Sequence, residues 1–203
     1  MTNVGLPLLH KAIRRAFKAH KSQDRDGEFA LPYITHPIEV VNILRYEGRI
    51  TDEEVLCAAA LHDVVEETAA DDPESALQKL EKKFGPRVAR IVREVTREEP
   101  DRTGLSPEEI WQLRTHLMLQ EIDQMSREAK TVKLADRLSN VRNALATRSE
   151  DKLFKYIRQT QLILQHIDRE VCPPIWEEIE KLASSVKLPT RVAQLTPAVP
   201  TSD

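Results

Sequence analysis

At 203 residues the chain lies slightly above the ~100–200 residues of an ordinary domain, which favours one compact domain and excludes two full ones. Hydrophobic residues make up 40% and charged residues 31%, with only 5 Gly and 12 Pro, so a low-complexity or collagen-like chain is excluded. Thirty Lys and Arg stand against 33 Asp and Glu, a net charge of -3, without the basic excess that a nucleic-acid polymer demands.

Aromatic residues are sparse at 4%, and apolar residues recur at three- and four-residue spacing, so the chain reads as all-α with about eight to nine helices. A first helix over about 7–21 places Leu9, Ile13, Phe17 and His20 on one stripe, and 22–33 reads as a polar loop. Pro37 suits the first turn of a second helix, capped by Thr35 or His36 and stopped at Gly48. Thr51 with Glu54 reads as a capping box for a third, continuous helix carrying VLCAAALHDVVEET, apolar all round in its middle and therefore buried. Asp72-Pro73 opens a helix closed by Gly85, and Pro86 opens another through Val95. Ser106 and Glu109 form a capping box for a helix to about Met125. Two more follow over about 127–146 and 151–171, and Pro173-Pro174 separates the second from a last short helix at 175–186. The domain is therefore expected over 1–186, with 187–203 as a disordered or loosely lying tail. Cys57 and Cys172 fall in helical segments, MTNVGLPLLHK lacks a secretory stretch, and no uncharged apolar run reaches the ~18–20 residues of a membrane span. A reduced, cytoplasmic protein without a membrane partner is expected. No face reads as an interface, and a homo-oligomer stays open.

The residues with chemical potential lie in three places. His62-Asp63 are adjacent on their helix, ~100° apart, so both can reach one ion. Glu66 and Glu67 lie four residues beyond them, one turn along the same face. In THP, His36 precedes a helix-opening proline, where its ring can point into a cleft. In TVKLADRLSNVRN, Asp136 sits among apolar residues and shares a face with Asn140; burying it uncompensated would be costly, so it needs a cation or donors. His36, His62, Asp63 and Asp136 make a nitrogen and oxygen set suited to a divalent ion such as Mn, Fe, Co or Zn. Such an ion, with open positions, serves hydrolysis of phosphate esters.

These blocks, together with A-x-x-x-H-x-x-Q-x-R from Ala16 to Arg25, PYITHP, ALHDVVEET, FGPRV and VKLADRLSNVRN, resemble the HD superfamily of metal-dependent phosphohydrolases over about residues 8–186. More narrowly they resemble the RelA/SpoT-type small alarmone hydrolases. The resemblance implies a compact HD-domain helical bundle, Mn²⁺ or another divalent ion, and removal of the 3′-pyrophosphate of (p)ppGpp, a small guanosine alarmone, to give GDP or GTP and pyrophosphate. It makes His36, His62, Asp63 and Asp136 the metal ligands, Glu66 and Glu67 the catalytic acidic pair, and Asn140 a ribose and nucleotide contact. Arg25 would lie against the guanine base, and Lys21, Lys133, Arg137 and Arg142 are candidates for the pyrophosphate, Lys133 foremost. Two departures stand out: Glu67 where the family commonly has Asp, and acidic Asp26 where a basic residue is frequent. Two alternatives keep the same domain: phosphatase action on another phosphorylated nucleotide or cofactor such as NADPH, or a nucleotide-binding module without activity.

Overall fold

The computed structural model describes residues 7–25, 31–68, 72–97 and 99–199, with the side chains of Glu67 and Thr68 outside the description. The helices are α1 (Leu8–Ala19), α2 (Thr35–Asn42), α3 (Glu53–Leu61), α4 (Val64–Thr68), α5 (Pro73–Phe84), α6 (Pro86–Val95), α7 (Pro107–Gln124), α8 (Arg127–Thr147), α9 (Glu150–His166), α10 (Pro173–Ser184) and α11 (Thr190–Ala193). A π-helical turn, Ile43–Glu47, continues α2, and a 3-10 turn, Arg169–Val171, follows α9. Among the described residues there is no strand, and one isolated antiparallel bridge joins Asp24 to Pro32. The class is all-α.

The centre of the bundle is α3, buried from Val55 to Leu61. Its run Cys57-Ala58-Ala59-Ala60 offers only small side chains, so α1, α2, α6 and α8 all pack closely on it. That explains a difference on α1. Ala12, Ala16 and His20 are buried; of the expected stripe His20 is buried, Leu9 and Ile13 pack partly buried on the core, and Phe17 stays exposed. Small alanines on α1 meet small alanines on α3, and a phenyl ring has no room between them. Beside α3 lies α8, whose buried residues include Lys133, Asp136, Arg137 and Ser139 as well as its leucines and valines. Polar side chains this deep need partners or a ligand.

Capping follows the local sequence with adjustments. The α7 capping box of Ser106 and Glu109 is present in both directions. For α3 the cap is Asp52 instead of Thr51, accepting from Glu54 N and Val55 N. A carboxylate there also suits the positive end of the helix. Helix α2 begins at Thr35 without a side-chain cap, Thr35 Oγ1 turning back to donate to the Pro32 carbonyl. The two C-terminal helices are shifted against expectation. The ninth ends at His166, and Pro173 and Pro174 form the first turn of α10 instead of separating elements, as a proline without an N–H can. Past α10, residues 190–193 make a helical turn on α9, with Val192 buried and the Leu195 carbonyl accepting from Arg158 Nε.

Between α1 and α2 the chain closes a narrow neck. Arg25 N–H donates to the Leu31 carbonyl and Tyr33 N–H to the Gln23 carbonyl, both at 2.8 Å. That neck holds Arg25 and Tyr33 beside the start of α2. Asp26, one of the two departures noted above, lies outside the described residues.

Candidate metal centre

The expected continuous third helix is interrupted where the chemistry sits. α3 ends at Leu61, His62 and Asp63 form a turn, and α4 resumes at Val64. His62 still has helical backbone angles, φ -56° and ψ -37°, and its side chain is buried. His36 comes from the first turn of α2 and Asp136 from the middle of α8, so three separate stretches meet.

Their ligand-type atoms converge. His62 Nε2 is 3.2 Å from His36 Nε2 and 3.1 Å from Asp63 Oδ2, and His36 Nε2 is 3.3 Å from Asp136 Oδ1. The remaining distances are 3.6 Å from His36 Nε2 to Asp63 Oδ2 and 3.8 Å from His62 Nε2 to Asp136 Oδ1. Two ligands ~2.1 Å from one ion are ~3.0 Å apart at a right angle and ~3.4 Å apart at a tetrahedral one. The spacing therefore fits a shared small cation. His36, His62 and Asp136 each offer a ligand atom, all within 4.8 Å of one another.

The protonation pattern makes the same demand. His62 Nδ1 lies 2.8 Å from the Ala59 carbonyl, which can only accept, so Nδ1 carries a proton and in the neutral ring Nε2 holds the lone pair. Ser139 Oγ donates to Glu39 Oε2 at 2.8 Å and so accepts from His36 Nδ1 at 2.9 Å, which leaves His36 Nε2 a lone pair as well. Two lone pairs facing each other across 3.2 Å repel unless positive charge lies between them. Burial works against a charged His62, but Asp63 and Asp136 outweigh it and hold its pKa well above the ordinary range. Asp63 and Asp136 are held below the usual carboxylate range against their own burial, Asp63 by His62 and Asp136 chiefly by Lys133. The donor set is arranged around a positive charge, a demand that a divalent cation can meet.

Neighbours orient the ligands. Tyr33 Oη donates to Asp63 Oδ2 at 2.7 Å, Lys133 Nζ to Asp136 Oδ2 at 3.2 Å, and Asn140 Nδ2 to Asp136 Oδ1. The cluster forms the floor of a cavity of about 740 Å³. Its walls carry Arg97 after α6, Arg114 on α7, Lys133 and Arg137 on α8, Arg148 after α8, and Lys152 and Lys155 on α9. Arg137 is buried, with Nε and Nη1 unpaired among the described residues, and its guanidinium lies 4.5 Å from the centre of the Tyr156 ring. Arg148 stacks on the same ring at 4.1 Å. So many cations around so few carboxylates suit a polyanionic ligand.

Of the other residues singled out, Lys133, Arg137, Asn140 and Glu66 line this cavity. Glu66 accepts from the Arg97 backbone N–H at 2.9 Å, and burial raises its carboxyl above the ordinary value despite the nearby Arg97. Arg25 lies outside the cavity lining, donating to Glu39 Oε2 at 3.2 Å and to Asn140 Oδ1 at 3.4 Å. Lys21 is exposed, and Arg142 makes a two-pronged pair with Glu47, 2.8 Å on each arm; neither reaches the cavity. The Glu67 side chain lies outside the described residues. Sequence reasoning missed Arg97, Arg114, Arg148, Lys152, Lys155 and Tyr156. The only local signal of the five basic residues was their charge, on segments that otherwise read as loop or amphipathic helix, and Tyr156 gave none.

Known proteins give this geometry its context. The chain is 40% identical over 136 residues to guanosine-3′,5′-bis(diphosphate) 3′-pyrophosphohydrolase MESH1 of Danio rerio, covering 67% of this chain and 68% of that protein. To the Homo sapiens protein of the same name it is 41% identical over 135 residues, 66% of this chain and 68% of that one. Among solved structures, a metazoan ortholog of SpoT that hydrolyzes ppGpp and plays a role in starvation responses superposes with a TM-score of 0.75 at 30% identity, covering 91% of this chain and 98% of that chain. The HD domain profile spans residues 12–168, from the first buried turn of α1 to the end of α9, and so takes in all four converging side chains. The chain belongs to the HD domain family.

Proposed function

We propose that this protein is a Mn²⁺-dependent hydrolase that removes the 3′-pyrophosphate of (p)ppGpp, giving GDP or GTP and pyrophosphate. The observation that carries the reading is the convergence of two imidazole Nε2 atoms and two aspartate oxygens, 3.1–3.8 Å apart where they pair, on the floor of a cation-walled cavity. The relatives named above, which carry this activity in their names, support the choice of substrate.

His36, His62, Asp63 and Asp136 would hold the ion. When bound, it would lower the pKa of a water and offset charge on a phosphoryl oxygen. Glu66, beside the cluster and of raised pKa, takes a proton from the attacking water; Glu67 follows it in α4 as the second acid of the pair. Lys133 and Arg137, which line the cavity beside Asp136, draw the pyrophosphate toward the floor by their charge. Asn140 and Arg25, joined by a hydrogen bond, mark the nucleoside side. Lys152 and Arg148, at the outer wall, face further phosphates.

Incubation of the purified, Mn²⁺-loaded protein with ppGpp, pppGpp, NADPH and nucleoside phosphates tests this. Pyrophosphate release from ppGpp or pppGpp is expected. Orthophosphate release from NADPH alone would move the activity to the 2′-phosphate of a cofactor, and binding without any product would leave a sensing module.

A further inference from the structure

A hydrogen-bonded path leaves the candidate metal centre through Ser139, Glu39 and Arg25, which do not line the cavity, and returns through Asn140, which does. It starts at His36 Nδ1, which donates to Ser139 Oγ at 2.9 Å, and Ser139 donates to Glu39 Oε2 at 2.8 Å. The same Glu39 oxygen receives Arg25 Nη1 at 3.2 Å. Arg25 Nη2 then donates to Asn140 Oδ1 at 3.4 Å, and Asn140 Nδ2 donates to Asp136 Oδ1. The path begins on one ligand and ends on another, linking α2 and α8 through the neck that follows α1.

Each link constrains the next. The Arg25 guanidinium can only donate, so the Glu39 oxygen it meets is an acceptor. Ser139 has a single proton and gives it to Glu39, which leaves its oxygen free only to accept. His36 can meet that oxygen only with Nδ1–H, so its Nε2 is held as the lone pair facing the other ligands. Ser139 and His36 are both buried, at 0% and 2% exposure, so no solvent can replace a lost partner. Without Ser139 the ring either keeps an unpaired buried N–H or moves its proton to Nε2, and the second tautomer cannot bind a metal.

We infer that Arg25, Glu39 and Ser139 form a positioning assembly for His36: the guanidinium holds the carboxylate, the carboxylate orients the hydroxyl, and the hydroxyl sets the tautomer of the ligand. The inference rests on the metal-centre reading above. It gives Arg25 a task in the protein before any nucleotide arrives. An arginine that served only the nucleotide, or only the fold, would leave metal affinity alone.

The test is titration of the full-length, chelator-stripped protein with Mn²⁺ by calorimetry, without nucleotide, with thermal unfolding of the metal-free protein in parallel. Ser139→Ala and Glu39→Gln are each expected to raise the Mn²⁺ dissociation constant ~10–100-fold, the usual cost of losing an outer-shell partner. Arg25→Gln is expected to raise it by a smaller factor. Because they act in one chain, the Glu39→Gln, Ser139→Ala double variant should bind no more weakly than the weaker single one. If Ser139→Ala does not fold, Glu39→Gln and Arg25→Gln carry the test. Wild-type Mn²⁺ affinity in both of those variants overturns the inference, as does full additivity in the double variant. An Arg25→Gln protein with unchanged Mn²⁺ affinity and a raised KM would assign Arg25 to the nucleotide alone and also overturn it. Failure of the unsubstituted protein to bind Mn²⁺ would sink the metal centre itself.

Discussion

Glu66 lies three residues from Asp63, yet it turns to the Arg97 backbone N–H while Asp63 turns to the histidines. Burial raises its carboxyl above the ordinary value, with Asp63 adding in the same direction and Arg97 opposing both. A group of raised pKa loses its basic form at higher pH as acid is added, so the acid limb of the rate profile should lie above the ~4.3 of a free glutamate. On the proposed role, Glu66→Gln keeps its metal, loses ~10²–10⁴-fold in rate, and loses that limb; metal analysis and a pH series of kcat check all three. Loss of metal along with rate would make Glu66 a ligand instead. At this scale the sequence made the cluster legible because each residue stood out locally: a doublet in an apolar helix, a histidine before a proline, an aspartate among leucines. The cavity cations were not legible. Lys152 and Arg142 are both charges on helices, and only their positions in space separate a cavity wall from the ion pair with Glu47.

Between α5 and α6, Gly85 adopts φ 92° and ψ 162°, a region open essentially to glycine alone. A Cβ there would meet only Glu54 Oε1, at 3.8 Å, so the cost of a side chain is purely that of the backbone. Gly85→Ala should therefore destabilise by ~1–3 kcal/mol, lowering the thermal midpoint by ~2–12 °C, with metal affinity unchanged. On the far side of that turn, Arg87 of α6 reaches Asp52 at 2.7 Å, Glu54 at 2.9 Å and Glu128 at 3.0 Å, fastening the start of α3 to the start of α8. Hydrogen bonds from Arg87 hold Asp52 and Glu128 below their ordinary values. Carboxyls depressed in the fold stabilise it fully above ~4 and cease to do so as pH falls through their lowered values. The midpoint difference between the unsubstituted protein and Arg87→Ala should thus be widest near neutrality and shrink below pH ~4; a constant gap would mean that the arginine stem matters by packing alone. Most helices were legible from caps and periodicity, as at Ser106. The break at His62-Asp63 was not, because the apolar period runs straight through it and no glycine or proline marks it.

Across the whole molecule, the four candidate ligands come from α2, from the turn between α3 and α4, and from α8, so one ion would add a direct tie among helices already joined by apolar packing and a few hydrogen bonds. An ion bound by the folded state and not by the unfolded chain stabilises by mass action, ~2.7 kcal/mol at a hundred times its dissociation constant. For a chain of this size that is a rise of ~5–11 °C in the thermal midpoint. Scanning calorimetry of the chelated protein with and without Mn²⁺ should show it. Asp63→Ala should abolish the rise, because losing one oxygen from a set this small removes both affinity and charge balance. The same substitution also takes from the metal-free protein the attraction of Asp63 to His62 and its hydrogen bond from Tyr33, so its own midpoint should fall as well, with or without Mn²⁺. The two effects still separate: ligation is reported by the Mn²⁺-dependent part of the midpoint and folding by the rest. A Mn²⁺-dependent rise that survives intact in Asp63→Ala would show the ion bound elsewhere, whatever the convergence of these side chains.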